Sequence, residues 1–457
     1  MQSAGAVRFR LPSGVPKYET PTERAIFTPK MELRITKPDD WHLHLRDGDL
    51  LEAVLPHSAR HFGRAIVMPN LKPPITTTAA ALTYRDSILK ALPPDCCFHP
   101  LMTLYLTDDT DPDEIKLARR SGVVYAVKFY PAGATTNSQD GVTDIFGKCF
   151  PVLEQMVEHN MPLLVHGEVV DPNVDIFDRE KVFIERILEP LVQKLPHLKV
   201  VMEHITTMDA VKFIMSSREG YVAATVTPQH LVLNRNALFH GGLQPHSYCL
   251  PVLKREVHSR LNSASKFDAA CGHRNGLHGG DVETGDGGGM RAGQRMWPQE
   301  GRYGLRQCSQ SGSCSEDCES DDIDCRCCKG RKAIASAVTS GSKRFFLGTD
   351  SAPHERNRKE CSAGCAGIFN ASTALSLYAR VFEEAGALDK LEAFTSFNGP
   401  DFYGLERNTS KILLEKTPWR VPRSYLFASG ELIPMCAGQM LDWLPSHFFS
   451  DENLSSC

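Results

Sequence analysis

His42, Leu43 and His44 set two imidazoles two residues apart, with Arg46 close behind. On a strand, positions i and i+2 share a face, so both rings can meet one metal ion. A polar structural pair is the alternative reading, and the position in an apolar run beside Arg46 favours the metal. Four more polar residues interrupt apolar runs. Lys128 lies in VYAVKFYP, His166 closes PLLVHGE, His204 closes VVMEHIT, and Asp350 closes FFLGTD with His354 four residues on. A lysine on a buried strand must be paired, neutralised or modified. Each residue has a plain structural role open to it, as a snorkelling lysine, a capping histidine or an Asp N-cap. Five separate runs carrying such residues at or near their C-terminal ends point instead to a catalytic centre.

The runs themselves suggest the scaffold. WHLHLR (41–46), RAIVMPN (64–70), PLMTLYLT (100–107), VYAVKFYP (124–131), PLLVHGE (162–168), KVVMEHIT (199–206), VAATVTPQH (222–230) and RFFLGTD (344–350) alternate with helical patterns at 113–122, 152–160, 179–195 and 208–217. Near-continuous apolar strands separated by helices indicate parallel strands covered on both faces. Eight of them, with no GxGxxG after the first, predict an α/β fold of the (β/α)8 TIM barrel type rather than a dinucleotide-binding sheet. Such barrels build their sites at the C-terminal strand ends. Residues 410–446 predict a few further strands folding back on the barrel edge.

The chain has 457 residues, 51 basic against 55 acidic side chains, and a formal charge of −4. This balance argues against a nucleic-acid-binding protein, and no apolar run is long enough for a transmembrane helix. Of 15 cysteines, seven fall between Cys271 and Cys328; the other eight are scattered and form no disulfide framework. Residues 261–331 are poor in apolar side chains and rich in glycine, which predicts disorder. Their flanks, LKREVHSR and KAIASAVTSG, would join into one amphipathic helix between the seventh and eighth strands. The stretch therefore reads as an insert in the seventh barrel helix. The expected organisation is an extension over 1–30, barrel over 31–260, insert over 261–331, the rest of the barrel and the terminal strands over 332–446, and a tail over 447–457. Residues 1–30 are basic and helix-poor, and both a transit peptide and a plain extension fit them.

Taken together, HxHxR, Lys128, His166, His204 and Asp350 resemble the amidohydrolase superfamily. The blocks DDWHLHLRDGDLL, RAIVMPNLKPP, YPAGATTNS, PLLVHGEV, VMEHITT, YCLPVLKR, FFLGTDSAPH and FNGPDFYGL are similar to its dihydroorotases of bacterial and plant type. The resemblance implies two zinc ions per subunit. His42, His44 and Asp350 would hold one, His166 and His204 the other, with a carboxylated Lys128 bridging them. It implies reversible cyclisation of N-carbamoyl-L-aspartate to dihydroorotate in pyrimidine biosynthesis, with Asp350 as the catalytic proton carrier. Arg46, Asn70 and His354 would bind the substrate carboxylate, helped by backbone near Leu250 and Ala366, and Thr135 and Thr136 would sit on a mobile lid. A homodimer and a mitochondrial or plastid location follow from the same resemblance, with the cytoplasm as the alternative. Two rival readings remain: another cyclic amidohydrolase such as a hydantoinase or allantoinase, and a barrel impaired by the insert.

Overall fold

The computed structural model describes residues 31–94, 96–255, 333–428 and 430–447. The expected extension over 1–30, the insert over 261–331 and the tail beyond residue 447 lie outside the described residues.

Strand β1 (Glu32–Thr36) opens the described chain and stays out of the barrel. The barrel strands follow as β2 (Asp40–Leu43), β3 (Arg64–Val67), β4 (His99–Tyr105), β5 (Val124–Phe129), β6 (Leu163–Val165), β7 (Val200–Met202), β8 (Val222–Val226) and β9 (Phe345–Leu347). They form an eight-stranded sheet in sequence order, and every neighbouring pair is parallel. Closure comes from the strand ends. Leu43 bridges Ser351, the Asp350 amide donates to the His42 carbonyl at 2.9 Å, and the His44 amide donates to the Ser351 carbonyl at 3.2 Å. Asp40 braces the seam by accepting from the amides of His42 and Thr349 and from the Thr349 hydroxyl.

Each of the four helical patterns is a helix. Pro112–Ser121 starts on an Asp111 cap with proline in its first turn and ends at left-handed Gly122, and Met208–Ser216 starts on a Thr207 cap. The pattern over 179–195 holds one π-helical turn, Ile184–Leu188, at its centre. Of the helix expected to be split by the insert, the second half is present as Ala333–Thr339, with Ile334 and Val338 buried. Leu253 to Arg255, the described part of the first flank, are not helical.

The apolar interior divides in two. A large cluster lies between helices and strands, while Ile66, Leu101, Ala126, Leu164, Val201, Ala223 and Phe346 pack inside the barrel with Trp41. Trp41 stacks on Tyr403 at 4.5 Å, and only glycine at 399 lets the indole approach, since a Cβ there would lie 1.9 Å from its nitrogen. The terminal strands are present, but not on the barrel edge. Strand β10 (Lys411–Arg420) pairs antiparallel with β1 and with β13 (Met440–His447) in a separate sheet, and β11 (Tyr425–Phe427) forms a hairpin with β12 (Gly430–Leu432). A closed barrel leaves no edge to extend.

Candidate metal centre and substrate pocket

Alternation along the strands puts the polar residues where the barrel opens. Ala126, Leu164 and Phe346 belong to the interior cluster. Two residues beyond the first two lie Lys128 and His166, and four beyond the third lies Asp350, all in phase with an inward face. His204 is out of phase. Its backbone takes a left-handed φ of 42°, and its amide donates to Thr225 Oγ1 at 2.8 Å. Asp350 (φ 44°) and Arg46 (φ 61°) are left-handed too, so three site residues hold a conformation that costs non-glycine residues energy.

His42, His44 and Asp350 converge. His42 Nε2 lies 3.3 Å from His44 Nε2, and Asp350 Oδ1 lies 3.4 Å and 3.2 Å from the two rings. The rings of His166 and His204 are 4.9 Å apart, and His204 is 4.9 Å from His42. Burial and the neighbouring Lys128 push His42 well below the usual imidazole range, and burial does the same to His204. Neutral imidazoles are what a metal needs. Lys128 is fully buried, its pKa driven far down by desolvation, and it meets the Glu203 carboxylate.

The residues fit a metal. Oxygen and nitrogen donors of His42, His44 and Asp350 lie within 4.8 Å of one another, as do those of His42, Glu203 and His204. Among the described residues, buried His204 Nδ1 has no hydrogen-bond partner. Buried polar atoms left this way are costly unless something else satisfies them.

The cavity beside this cluster gathers every substrate-pocket residue expected from the sequence except His354, and adds Tyr130, Ala352 and Gly367. Arg46 donates to the Pro353 carbonyl at 3.0 Å and faces His354 Nε2 at 3.1 Å. The same His354 nitrogen lies 3.0 Å from the Ala366 carbonyl, and burial with the Arg46 charge lowers its pKa to about 2. His354 is therefore neutral and can face only one of these partners with the right tautomer. Asn70 is a connector: Oδ1 accepts a hydrogen bond from His44 Nδ1 at 2.9 Å, and Nδ2 donates to the Thr136 carbonyl at 3.0 Å. Asn137 Nδ2 returns a bond to the Asn70 carbonyl, and the Thr136 hydroxyl donates to Ala366 at 3.4 Å. The loop carrying Thr135 and Thr136 is thus latched over the cavity.

A model of the amidohydrolase family matches residues 39–419. The chain belongs to the amidohydrolase family. Within the family, it is 63% identical over 418 residues to the mitochondrial dihydroorotase of Oryza sativa subsp. japonica, covering 92% of this chain and 85% of that protein. The dihydroorotase structure from Campylobacter jejuni superposes with a TM-score of 0.70 at 29% identity, covering 92% of this chain and 99% of that one. That of Saccharomyces cerevisiae, in complex with 5-fluoroorotic acid, gives 0.69 at 28%, covering 91% and 98%. Amidohydrolases of this kind are metal-dependent, in keeping with the clustered donors.

Sequence reasoning missed Glu203 and Glu168. Glu203 Oε1 lies 3.0 Å from His42 Nδ1, and Glu168 Oε2 lies 2.8 Å from His166 Nε2, so each carboxylate orients a histidine. The signal was present for Glu203: it sits two residues after Val201, on the inward phase of an apolar run.

Proposed function

We propose that this protein closes N-carbamoyl-L-aspartate to dihydroorotate and reopens the ring, a step of pyrimidine biosynthesis, at the cavity beside His42. The observation that carries the reading is the joint placement of a donor cluster and Arg46 on one cavity, with His354 against the Arg46 guanidinium at 3.1 Å. Arginine presents a planar fork to a carboxylate, which a neutral cyclic amide such as a hydantoin does not offer. The relatives named dihydroorotase support the same choice over the hydantoinase and allantoinase readings.

His42, His44 and Asp350 would hold one zinc ion and His166 and His204 a second, with Lys128 bridging as a carbamate. Carbamylation turns an ammonium that burial disfavours into an anion, which suits its position. Bound zinc supplies Lewis acidity and lowers the pKa of water. The chain does the rest. Arg46, with His354 and the backbone near Leu250 and Ala366, holds the carboxylate and fixes the ring amide against the cluster. Asp350 takes the proton of the attacking water as the new C–O bond forms. It then delivers that proton to the ring nitrogen as the C–N bond breaks; ring closure reverses these transfers. The latched loop with Thr135 and Thr136 excludes bulk water.

The protein would act as a homodimer, which sedimentation would test. Organellar location is read from the plant relatives named mitochondrial and from the basic residues before 31; a fluorescent fusion of that segment tests it. For the reaction, zinc-loaded protein should convert N-carbamoyl-L-aspartate and dihydroorotate into each other, lose turnover on chelation, and leave hydantoin untouched. Turnover of hydantoin with none of dihydroorotate would sink the assignment.

A further inference from the structure

Lys359 is a buried cation that the mechanism above does not use. It ends the short helix Arg356–Lys359, a few residues after His354, and is only 3% exposed. Its Nζ donates to the carbonyls of Tyr248 at 2.9 Å, Cys365 at 2.8 Å and Gly367 at 2.6 Å. All three ammonium protons are therefore engaged by backbone, and Lys359 makes no ion pair among the described residues. Burial lowers its pKa to about 8, so an apolar side chain would be the cheaper occupant if packing alone were required.

The three carbonyls belong to the two backbone walls of the pocket. Tyr248 stands two residues before Leu250, and Cys365 and Gly367 flank Ala366; Leu250 and Ala366 both line the cavity. The walls also touch directly, the Gly367 amide donating to the Tyr248 carbonyl at 2.9 Å. Gly367 has φ 144°, and a Cβ there would fall 2.4 Å from the Ala352 carbonyl and 3.0 Å from the His354 ring. The wall is thus pressed against His354 at a place where only glycine fits. The Ala366 carbonyl, between two Lys359-bound carbonyls, accepts from the Thr136 hydroxyl and lies 3.0 Å from His354 Nε2.

We propose that Lys359 is a positioning residue for substrate selection, pinning the Tyr248–Leu250 and Cys365–Gly367 backbones so that Arg46 and His354 meet the substrate carboxylate in one geometry. This rests on the reading that the Arg46–His354 corner takes that carboxylate. A scaffold role would lower stability and leave selectivity alone, so selectivity is what separates the two.

The test compares inhibition by orotate and by uracil, the same planar ring with and without the carboxylate, in zinc-loaded full-length protein. In Lys359→Met, orotate inhibition should weaken by about tenfold or more while uracil changes by less than about twofold, the scale of one lost charge-assisted contact. KM for dihydroorotate should rise in step, with kcat held within about threefold, and zinc content should stay that of the parent. Lys359→Gln, which keeps two N–H donors, should fall between Lys359→Met and the parent; it carries the test if Lys359→Met does not fold. Equal weakening of both inhibitors, or a lower melting temperature with selectivity intact, would overturn the proposal. Arg46→Gln separates the two readings. If it leaves the orotate preference intact, the carboxylate corner is wrong; if it abolishes the preference while both Lys359 variants retain it, only the role of Lys359 is wrong.

Discussion

Glu203 touches two groups with opposite needs. One oxygen lies 3.0 Å from His42 Nδ1 and the other meets Lys128, and both partners are buried. An anion there holds the His42 ring with Nε2 toward Asp350, and it faces the Lys128 amine only while that amine is unmodified. Glu203→Gln should therefore weaken metal affinity by roughly 10–100-fold, the usual cost of removing an orienting carboxylate. Activity should return when zinc is raised, as read by titration against a competing chelator. Asp350→Asn should behave differently. It removes the proton carrier, so kcat should drop by about 10²–10⁴-fold and excess zinc should not restore it. Recovery of Asp350→Asn with zinc would reduce Asp350 to a ligand.

Elements differ in how plainly the sequence announced them. The eight barrel strands were legible because both faces are buried, which makes each a short apolar run, and their polar interruptions marked the site. Strand β1 was not legible. ELRIT is exposed on its outer residues, and its partner β10 lies far along the chain. His204 was found by residue type, although its left-handed turn breaks the alternation that would have excluded it. Lys359 escaped notice because carbonyl partners leave no trace in side-chain patterns. The lid was legible as a loop, while its latch was not, since Asn70 holds Thr136 through a backbone oxygen. The latch gives an element-scale expectation. Thr136→Val keeps that carbonyl and loses the hydroxyl that reaches Ala366. It should raise KM for dihydroorotate by about three- to tenfold, the scale of one hydrogen bond, with zinc content unchanged. An unaltered KM would show that the carbonyl latch alone closes the loop.

At the scale of the whole molecule, the C-terminal hairpin is tied to the barrel by a histidine that must stay neutral. His57, on helix Gly48–Ala59, packs on Tyr425 at 4.3 Å and on Phe369 at 5.4 Å. Burial, then the Arg60 charge, lowers its pKa to about 4. In the unfolded chain it titrates near the ordinary imidazole value, about 6.5. Between these limits the unfolded state binds a proton that the native state refuses, so stability rises with pH across this window and is lost as pH falls from about 6.5 to 4. Asp108 works in another range. Burial raises its pKa, but hydrogen bonds from Thr143 and Lys148 outweigh this and hold it at about 2, so its contribution is intact above the ordinary carboxylate value and fades only below the window set by His57. Other buried groups, His230 among them, titrate in the same interval, which makes a difference between two proteins the clean measurement. His57→Phe keeps an aromatic ring against Tyr425 and removes the proton. Relative to this variant, the parent should lose on the order of 2–3 kcal/mol as pH falls from 7.5 to about 4 in urea titrations. A difference that stays flat over that range would mean the ring is solvated enough to charge in place, and that the hairpin, not the histidine, opens first.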